Sequence, residues 1–600
     1  MFDFFKKSYS IKKDLGLSLT LEKLRALYSS LGIELTEYIF VQSKKNKNAP
    51  CSLRLNIEGT SLGANGKGKN IDAALCSAYS ELTERLQCLA LIPLRNDNFQ
   101  YSPDEIFKEI ESLSDEEIEY IKRTFSSVIS EQSISTKTLK KNLILLSKIS
   151  SNPNYTKENH KLSFVPFYDV LNDKITYLPL KFVLMKNHTN GMAAGNTYEE
   201  TLVQGISEIF ERYSTKQVIL NEYSLPTIPE KYYKKYIELD RIISYLKNNN
   251  YDVIVKDASL DKKIPVVMVL FIDKKNNRFS FQFGAHPDFP IAVERAFTEF
   301  LQGYSVENVD DSVNTVIEHK IESFDESIYR EQLITRGKLS FLDLNHPIFE
   351  KLVSDSSKFS LNIDFLSSNI NKNNKLLLKE MINISKNLSS NLFVRNMSFL
   401  GHNSFIIEIP EVSELQVNAD KYIYKNYCEY KFKNYLSKKY PEIAITADEI
   451  ISSIMISPSL YYDFSSYFVP KIPNLFIAAV AYLEKGDVEK TIELLQTVKA
   501  HDKSFKDNSL LVDTLVSVLS GKCTLEQISD DKLKVQVKSF IQTPLEQLFS
   551  FIDENYPVVT RKTKRKEKII QNVKNILIEK YIENVPNQDD LRIFFKEIMS

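Results

Sequence analysis

The chain has 600 residues, 43% of them hydrophobic and 11% aromatic, enough apolar material to bury the cores of two or three folded domains and too much for a disordered chain. Its 77 basic and 78 acidic residues leave a formal net charge of -1, so no global field holds the protein on nucleic acid or on an anionic membrane. The five cysteines, Cys51, Cys76, Cys88, Cys428 and Cys523, form no C-x-x-C pair and no cluster-binding spacing, which excludes zinc-ribbon, dithiol and iron–sulfur chemistry and predicts buried free thiols.

The amino terminus, MFDFFKKSYSIKKDLG, lacks the apolar core of a secretion signal. No run approaches the roughly 18 apolar residues that a membrane span needs, so the expectation is a soluble, cytoplasmic protein. Residues 61–70, SLGANGKGKN, then gather three of only 15 glycines ahead of an amphipathic stretch, IDAALCSAYSELTERL. This loop is neither a Walker A loop, which needs G-x-x-x-x-G-K-[ST], nor a G-x-G-x-x-G dinucleotide fingerprint. In the helix that follows, Ser77, Glu81 and Glu84 share one stripe beside an apolar one of Ile71, Ala74, Leu75, Ala78, Leu82 and Leu86.

The same plan recurs at 187–213, NHTNGMAAGNTYEETLVQGISEIFERY. SELTER at 80–85 answers to SEIFER at 207–212, and the spans Gly68 to Glu81 and Gly195 to Glu208 are both 13 residues. Glu200, Gln204, Glu208 and Glu211 form the second acidic row, opposite Leu202, Ile206, Ile209 and Phe210. A third, looser copy lies at 283–303, FGAHPDFPIAVERAFTEFLQG, with Glu299 and Gln302 in the places of the paired glutamates and Arg295 one turn earlier.

A single E-x-x-E-R would read as a solvated helix face. Two copies with one spacing read instead as paired acidic rows, and like charges at this spacing cost about 0.2–0.5 kcal/mol per pair even on an isolated helix. A divalent cation offsets that repulsion, and the carboxylates Glu81, Glu84, Glu208 and Glu211 are hard oxygen ligands suited to Mg²⁺, which shares its shell readily with phosphate. Arg85, Arg212 and Arg295 add guanidinium forks for phosphate, and the Gly-rich loops serve as anion seats at helix starts or as close-packed walls. None of the seven histidines, His160, His188, His286, His319, His346, His402 and His501, forms an H-x-x-x-H pair; His188 and His286 stand apart because they lie inside the motif loops.

From about residue 430 the strand-like alternation thins. PNLFIAAVAYLEKGDVEKTIELLQTV, residues 473–498, reads as an antiparallel helix pair turning at Lys485, Gly486 and Asp487, TPR-like in its placement of Ala478, Tyr482, Gly486 and Ile492, although one such unit does not close a solenoid core. RKTKRKEK, residues 561–568, is a local basic run of the kind usually found on a solvated helix face.

The stretches GKGKNIDAALCSAYSELTERL, NGMAAGNTYEETLVQGISEIFERY and FGAHPDFPIAVERAFTEFLQG resemble the three motifs of the YcaO family, and the resemblance extends from about residue 13 to the carboxyl end. It implies an α+β architecture: a YcaO-type ATP- and Mg²⁺-binding domain with duplicated loop–helix motifs over residues 1–430, then an all-helical, TPR-like domain over residues 431–600. It further implies Glu81, Glu84, Glu208 and Glu211 as metal ligands, with Arg85, Arg212 and Arg295 as phosphate or metal-shell partners. Glu200 and Glu299 support them, and Lys13, Thr20, Ser77 and Asn196 lie near base, ribose or phosphates. One departure is Ala193, where the family commonly has serine. The subgroup resembled is described as an accessory factor for methylthiolation of ribosomal protein uS12, which implies uS12, a radical methylthiotransferase and a second copy of the chain as partners. The implied activity is ATP hydrolysis that phosphorylates or adenylates a peptide amide; the chain lacks cluster cysteines for the radical step itself. Azoline formation is disfavoured by an ending, LRIFFKEIMS, without the Pro-rich tail of many azoline-forming members. A YcaO-type peptide cyclodehydratase, a thioamide-forming enzyme and a non-catalytic nucleotide-binding scaffold are the alternatives.

Overall fold

The computed structural model describes residues 13–39, 51–94, 102–125, 135–150, 161–300, 334, 342–367, 372–415, parts of 423–431, 445–454, 474–501, 508–555 and 561–600. His160, Gln302 and His319, and the side chains of His501 and of the first half of the basic run, lie outside the described residues. The chain divides into two units. The first comprises Met1–Ile134, Lys161–Val417 and Ile570–Ser600, and the second Ser135–His160 and Asn418–Ile569.

In the first unit, α1 (Leu17–Ser30) leads into an antiparallel sheet of β1 (Leu35–Ile39), β2 (Cys51–Ile57) and β3 (Gly63–Gly68), which α2 (Ile71–Gln87) covers. The stretch read as a loop is therefore a strand: Leu53 pairs with Gly66 and Ser52 with Lys67. After β4 (Ile106–Glu109) and α3 (Asp115–Phe125) comes α4 (Thr136–Ser150), which belongs to the second unit. There follow β5 (Lys161–Asp169), β6 (Lys174–Leu178), α5 (Leu180–Asn187), β7 (Met192–Gly195) and the long α6 (Tyr198–Asn221). Next are α7 (Ile237–Asn248), β8 (Tyr251–Asp257), β9 (Val266–Asp273), β10 (Arg278–Ala285) and α8 (Phe289–Phe300). The later strands are β11 (Leu342–Asp343), β12 (Phe393–Asn396) and β13 (Asn403–Glu408).

Strands β11-β10-β9-β8 make a second sheet, and β4-β5-β12-β13-β7, with β6 beside β5, make a third. VVMVLFI of β9, all but its last residue, is continuously apolar because the strand is buried along its whole length, the pattern of a sheet covered on both faces. The apolar stripe of α6, Leu202, Ile206, Ile209 and Phe210, enters the same core as Met268, Phe281 and Phe405. The carboxyl-terminal segment of this unit is anchored by Tyr581, which stacks on Phe399 at 4.3 Å and meets the buried Arg395 guanidinium at 3.1 Å.

The second unit is helical where described. Asn474–Glu484 and Val488–His501 form the expected helix pair, with Gly486 at φ +78° in the turn, and both pack into a core with Val512, Phe540 and Phe551. Cys51, Cys76, Cys88 and Cys428 are buried free thiols, and Cys523 is half-buried. Among the described residues no helix is long and apolar enough to cross a membrane.

Candidate functional site

The three sequence motifs are three strand–helix units of one design. Asn70 caps α2 by accepting the N–H of Ala73 at 2.9 Å, and Thr197 caps α6 by accepting that of Glu200 at 3.2 Å. Glycine is required where each helix lies on its strand. A Cβ on Gly66 would come within 2.0 Å of the Ala74 carbonyl oxygen, and one on Gly284 within 2.2 Å of that of Ala292. Of the two roles read for the glycines, close packing is the one these contacts display. The units also interlock: α2 packs against β7 as well as β3, α6 reaches β10, and α8 touches β3. Each motif helix thus meets the strand of the next motif in a closed cycle.

The acidic rows face one another inside this cycle. Arg85 stands 2.9 Å from Glu84 and 3.6 Å from Glu81. Burial pushes the Glu84 carboxyl up to about 8; Arg85 opposes the shift, while Glu208 and Glu81 add to it. Burial also raises Glu208, against the pull of Arg212 and Arg85, and with Glu211 and Glu81 adding to the rise. Burial would lower Arg85, but Glu84 and Glu81 outweigh it and hold the guanidinium above its ordinary value. Arg295 is held low by burial despite Glu211 and Glu208; it donates to the Ala285 carbonyl at 2.7 Å and to Gln204 of α6. Glu81, Glu84, Arg85, Glu208, Glu211, Arg212 and Arg295 therefore act on one another across three helices.

A second cluster adjoins the start of α6. Lys13 Nζ is 2.8 Å from Glu200 Oε1, and the backbone N–H of Asp14 donates to Oε2 at 3.0 Å. Thr20 Oγ1 lies 3.0 Å from Asn196 Oδ1, and Asn196 Nδ2 is 3.3 Å from Glu200. Lys13, Thr20 and Asn196 thus lie beside Glu200, while Ser77, expected with the first three, lies elsewhere on α2. Glu299 instead pairs with Lys67 of β3, which ties α8 to the first motif. Ser77 is half-buried one turn before Glu81, and Ala193 is buried in β7 opposite Phe405. The sequence reading assigned no role to the partners Lys67 and Gln204, although Gln204 lay in the acidic row. It also left out His402, whose Nε2 is buried without a partner and whose ring is pushed down to about 4 by burial, with Glu200 and Lys13 nearby.

The fit of this chemistry to a metal nucleotide is carried by the donor set. Arg212 Nε and Nη1 are buried without a hydrogen-bond partner, an arrangement that costs stability unless an anion completes it. Among the described residues no group of three or more Asp, Glu, His or Cys side chains is gathered tightly enough to hold a metal ion, and Glu81 and Glu84 both contact Arg85. Their carboxylates are of the right type for Mg²⁺ and would have to turn from Arg85 to share one.

Three interlocked strand–helix repeats thus enclose a largely shielded centre lined by acids and arginines. The family model described as YcaO cyclodehydratase, ATP- and Mg²⁺-binding, matches residues 65–412, and the chain belongs to the YcaO family. Two curated relatives match part of it. An uncharacterized protein of Haemophilus influenzae is 28% identical over 328 residues, 51% of each chain. The ribosomal protein S12 methylthiotransferase accessory factor YcaO of Escherichia coli is 29% identical over 318 residues, 50% of each chain. The chain thus spans about half the length of the curated relatives it matches, less than the full resemblance expected from residue 13 onward. Among solved structures, a heterocyclase in complex with substrate and cofactor aligns with TM-score 0.47 at 17% identity over 68% of this chain and 55% of that one. YcaO from Methanopyrus kandleri bound with AMPPCP and Mg²⁺ aligns with TM-score 0.39 at 15% identity over 67% of this chain and 92% of that one.

Proposed function

We propose that the protein binds ATP with Mg²⁺ between α2, α6 and α8 and uses it to activate a backbone amide oxygen of a peptide substrate. The observation that carries this reading is the meeting of the half-buried Glu84 and Glu208 from duplicated helices beside Arg212, two of whose donor nitrogens are buried and unpartnered. Glu81, Glu84, Glu208 and Glu211 would hold the metal, which when bound neutralises phosphate charge and polarises the transferred group. Arg212 supplies N–H donors to phosphate, Arg295 is set toward the site by Ala285 and Gln204, and Lys13 and Asn196 are positioned by Glu200. Phosphoryl or adenylyl transfer asks mainly for positioning and charge neutralisation, so this set needs no nucleophilic side chain. The name of the Escherichia coli relative favours an auxiliary role in methylthiolation of ribosomal protein uS12. In this reading the protein works beside a radical methylthiotransferase in the cytoplasm. In this reading residues 1–430 are the ATP domain, and the helical region of 431–600, TPR-like at the pair 474–501, docks a partner or a second copy.

Equilibrium binding tests the site. Wild-type protein should bind a non-hydrolysable ATP analogue in a Mg²⁺-dependent manner, and Glu208→Gln should lose that dependence. Equal binding with and without Mg²⁺ in both proteins would reject the metal assignment.

A further inference from the structure

His286 stands between the end of β10 and the start of α8, with its backbone held on one side and its ring on the other. Its backbone N–H donates to the Pro265 carbonyl at 3.1 Å, and its Nδ1 accepts the backbone N–H of Asp288 at 2.9 Å. An Nδ1 that accepts carries no proton, so the neutral ring bears its proton on Nε2. Burial, followed by the charges of Arg295 and Lys13, keeps the ring well below the usual histidine range, so it stays neutral at working pH.

The residue is 7% exposed, and Nε2–H has no partner among the described residues, yet it is not among the polar atoms sealed from solvent. The turn into α8 needs only the acceptor at Nδ1, a task that Asn or Asp performs in most such turns. Histidine adds a second, outward donor that the turn does not use. The two cations that act on the ring are both tied to α6, Arg295 through Gln204 and Lys13 through Glu200. A fixed neutral N–H beside two cations suits an anionic oxygen.

We propose that His286 contacts the nucleotide directly, its Nε2–H donating to a phosphate oxygen held near Lys13 and Arg295. This rests on the ATP·Mg²⁺ reading above. Two variants separate ligand contact from turn capping. His286→Asn keeps an oxygen where Nδ1 accepts from Asp288 and removes the outward donor. His286→Gln keeps an outward N–H and removes the near acceptor.

The experiment measures thermal stability of the full chain and its affinity for a Mg²⁺-bound non-hydrolysable ATP analogue and for adenosine. His286→Asn should melt as wild type does and bind the analogue roughly tenfold more weakly, with adenosine affinity unchanged. His286→Gln should melt lower yet recover part of the analogue affinity. The proposal is overturned if Asn binds as wild type does, or if affinity simply follows melting temperature with Gln worse than Asn; either result makes His286 a turn cap alone. A parallel loss of adenosine affinity would reject the phosphate assignment. Wild-type protein that binds no nucleotide would instead refute the ATP reading, and this inference would fall with it.

Discussion

Replacing Glu84 by glutamine should stabilise the ligand-free protein at alkaline pH and leave it unchanged below about pH 4. The Glu84 carboxyl is pushed from its ordinary 4.5 to about 8 by burial, with Glu208 and Glu81 adding to the effect. A folded-state pKa raised above the unfolded value means that the folded chain binds the extra proton between those limits. Stability therefore falls as pH rises through that window, and the penalty is complete above about pH 8. At about 1.4 kcal/mol per pH unit the penalty is about 5 kcal/mol. The side chain is only 12% exposed, so solvent screening takes little from it. The attraction of Arg85, 2.9 Å away, is already contained in that pKa, and Arg85 retains Glu81 at 3.6 Å, so nothing further is subtracted. The variant should therefore gain up to about 5 kcal/mol at pH 9, or several degrees in Tm. Paired thermal melts of wild type and variant from pH 4 to pH 9, without nucleotide or divalent metal, measure it. A variant less stable than wild type by the same amount at every pH would refute the reasoning, because it would mean that Glu84 is simply an ionised partner of Arg85.

Arg212→Ala should abolish nucleotide use while costing the fold less than about 1 kcal/mol, since two of its nitrogens already lack partners; nucleotide turnover and urea melts report the two effects separately. Gly66→Ala drives a Cβ to 2.0 Å from the Ala74 carbonyl oxygen and 2.7 Å from Ala78 Cβ, and should destabilise the first unit by about 3 kcal/mol or more in a denaturant titration. Lys186→Met leaves the buried Glu408 and Glu414 without their shared cation, one of them 3.1 Å from it in the native protein, and should cost about 3–5 kcal/mol by the same titration.

The helices of the site were legible because their chemistry is periodic. Glu81, Glu84, Glu208 and Glu211 recur at helical spacing beside apolar stripes, and the structure buries Leu82, Leu86, Ile206 and Ile209 as the pattern requires. Their strands were not legible. GANGKG has no β-branched or aromatic residue to signal a strand, and its glycines answer to the proximity of α2, a tertiary constraint that local pattern does not carry. Partnerships across the motifs were hidden for the same reason. Lys67 with Glu299 and Gln204 with Arg295 join residues far apart in sequence, and only the cyclic packing of the three units brings them together. The place of Ile570–Ser600 in the first unit depends likewise on Tyr581 finding Arg395 across 186 residues.

The central claim, that the three interlocked helices form a working ATP site, is tested most directly by resolving nucleotide products. Purified protein is incubated with ATP, Mg²⁺ and a uS12-derived peptide, and ADP, AMP, phosphate and pyrophosphate are separated for wild type, Glu208→Gln and Arg212→Ala. The account predicts turnover by wild type and its loss in both variants, with ADP marking phosphorylation and AMP marking adenylation. Turnover that survives in both variants, or none in a wild-type protein that binds ATP tightly, would contradict it.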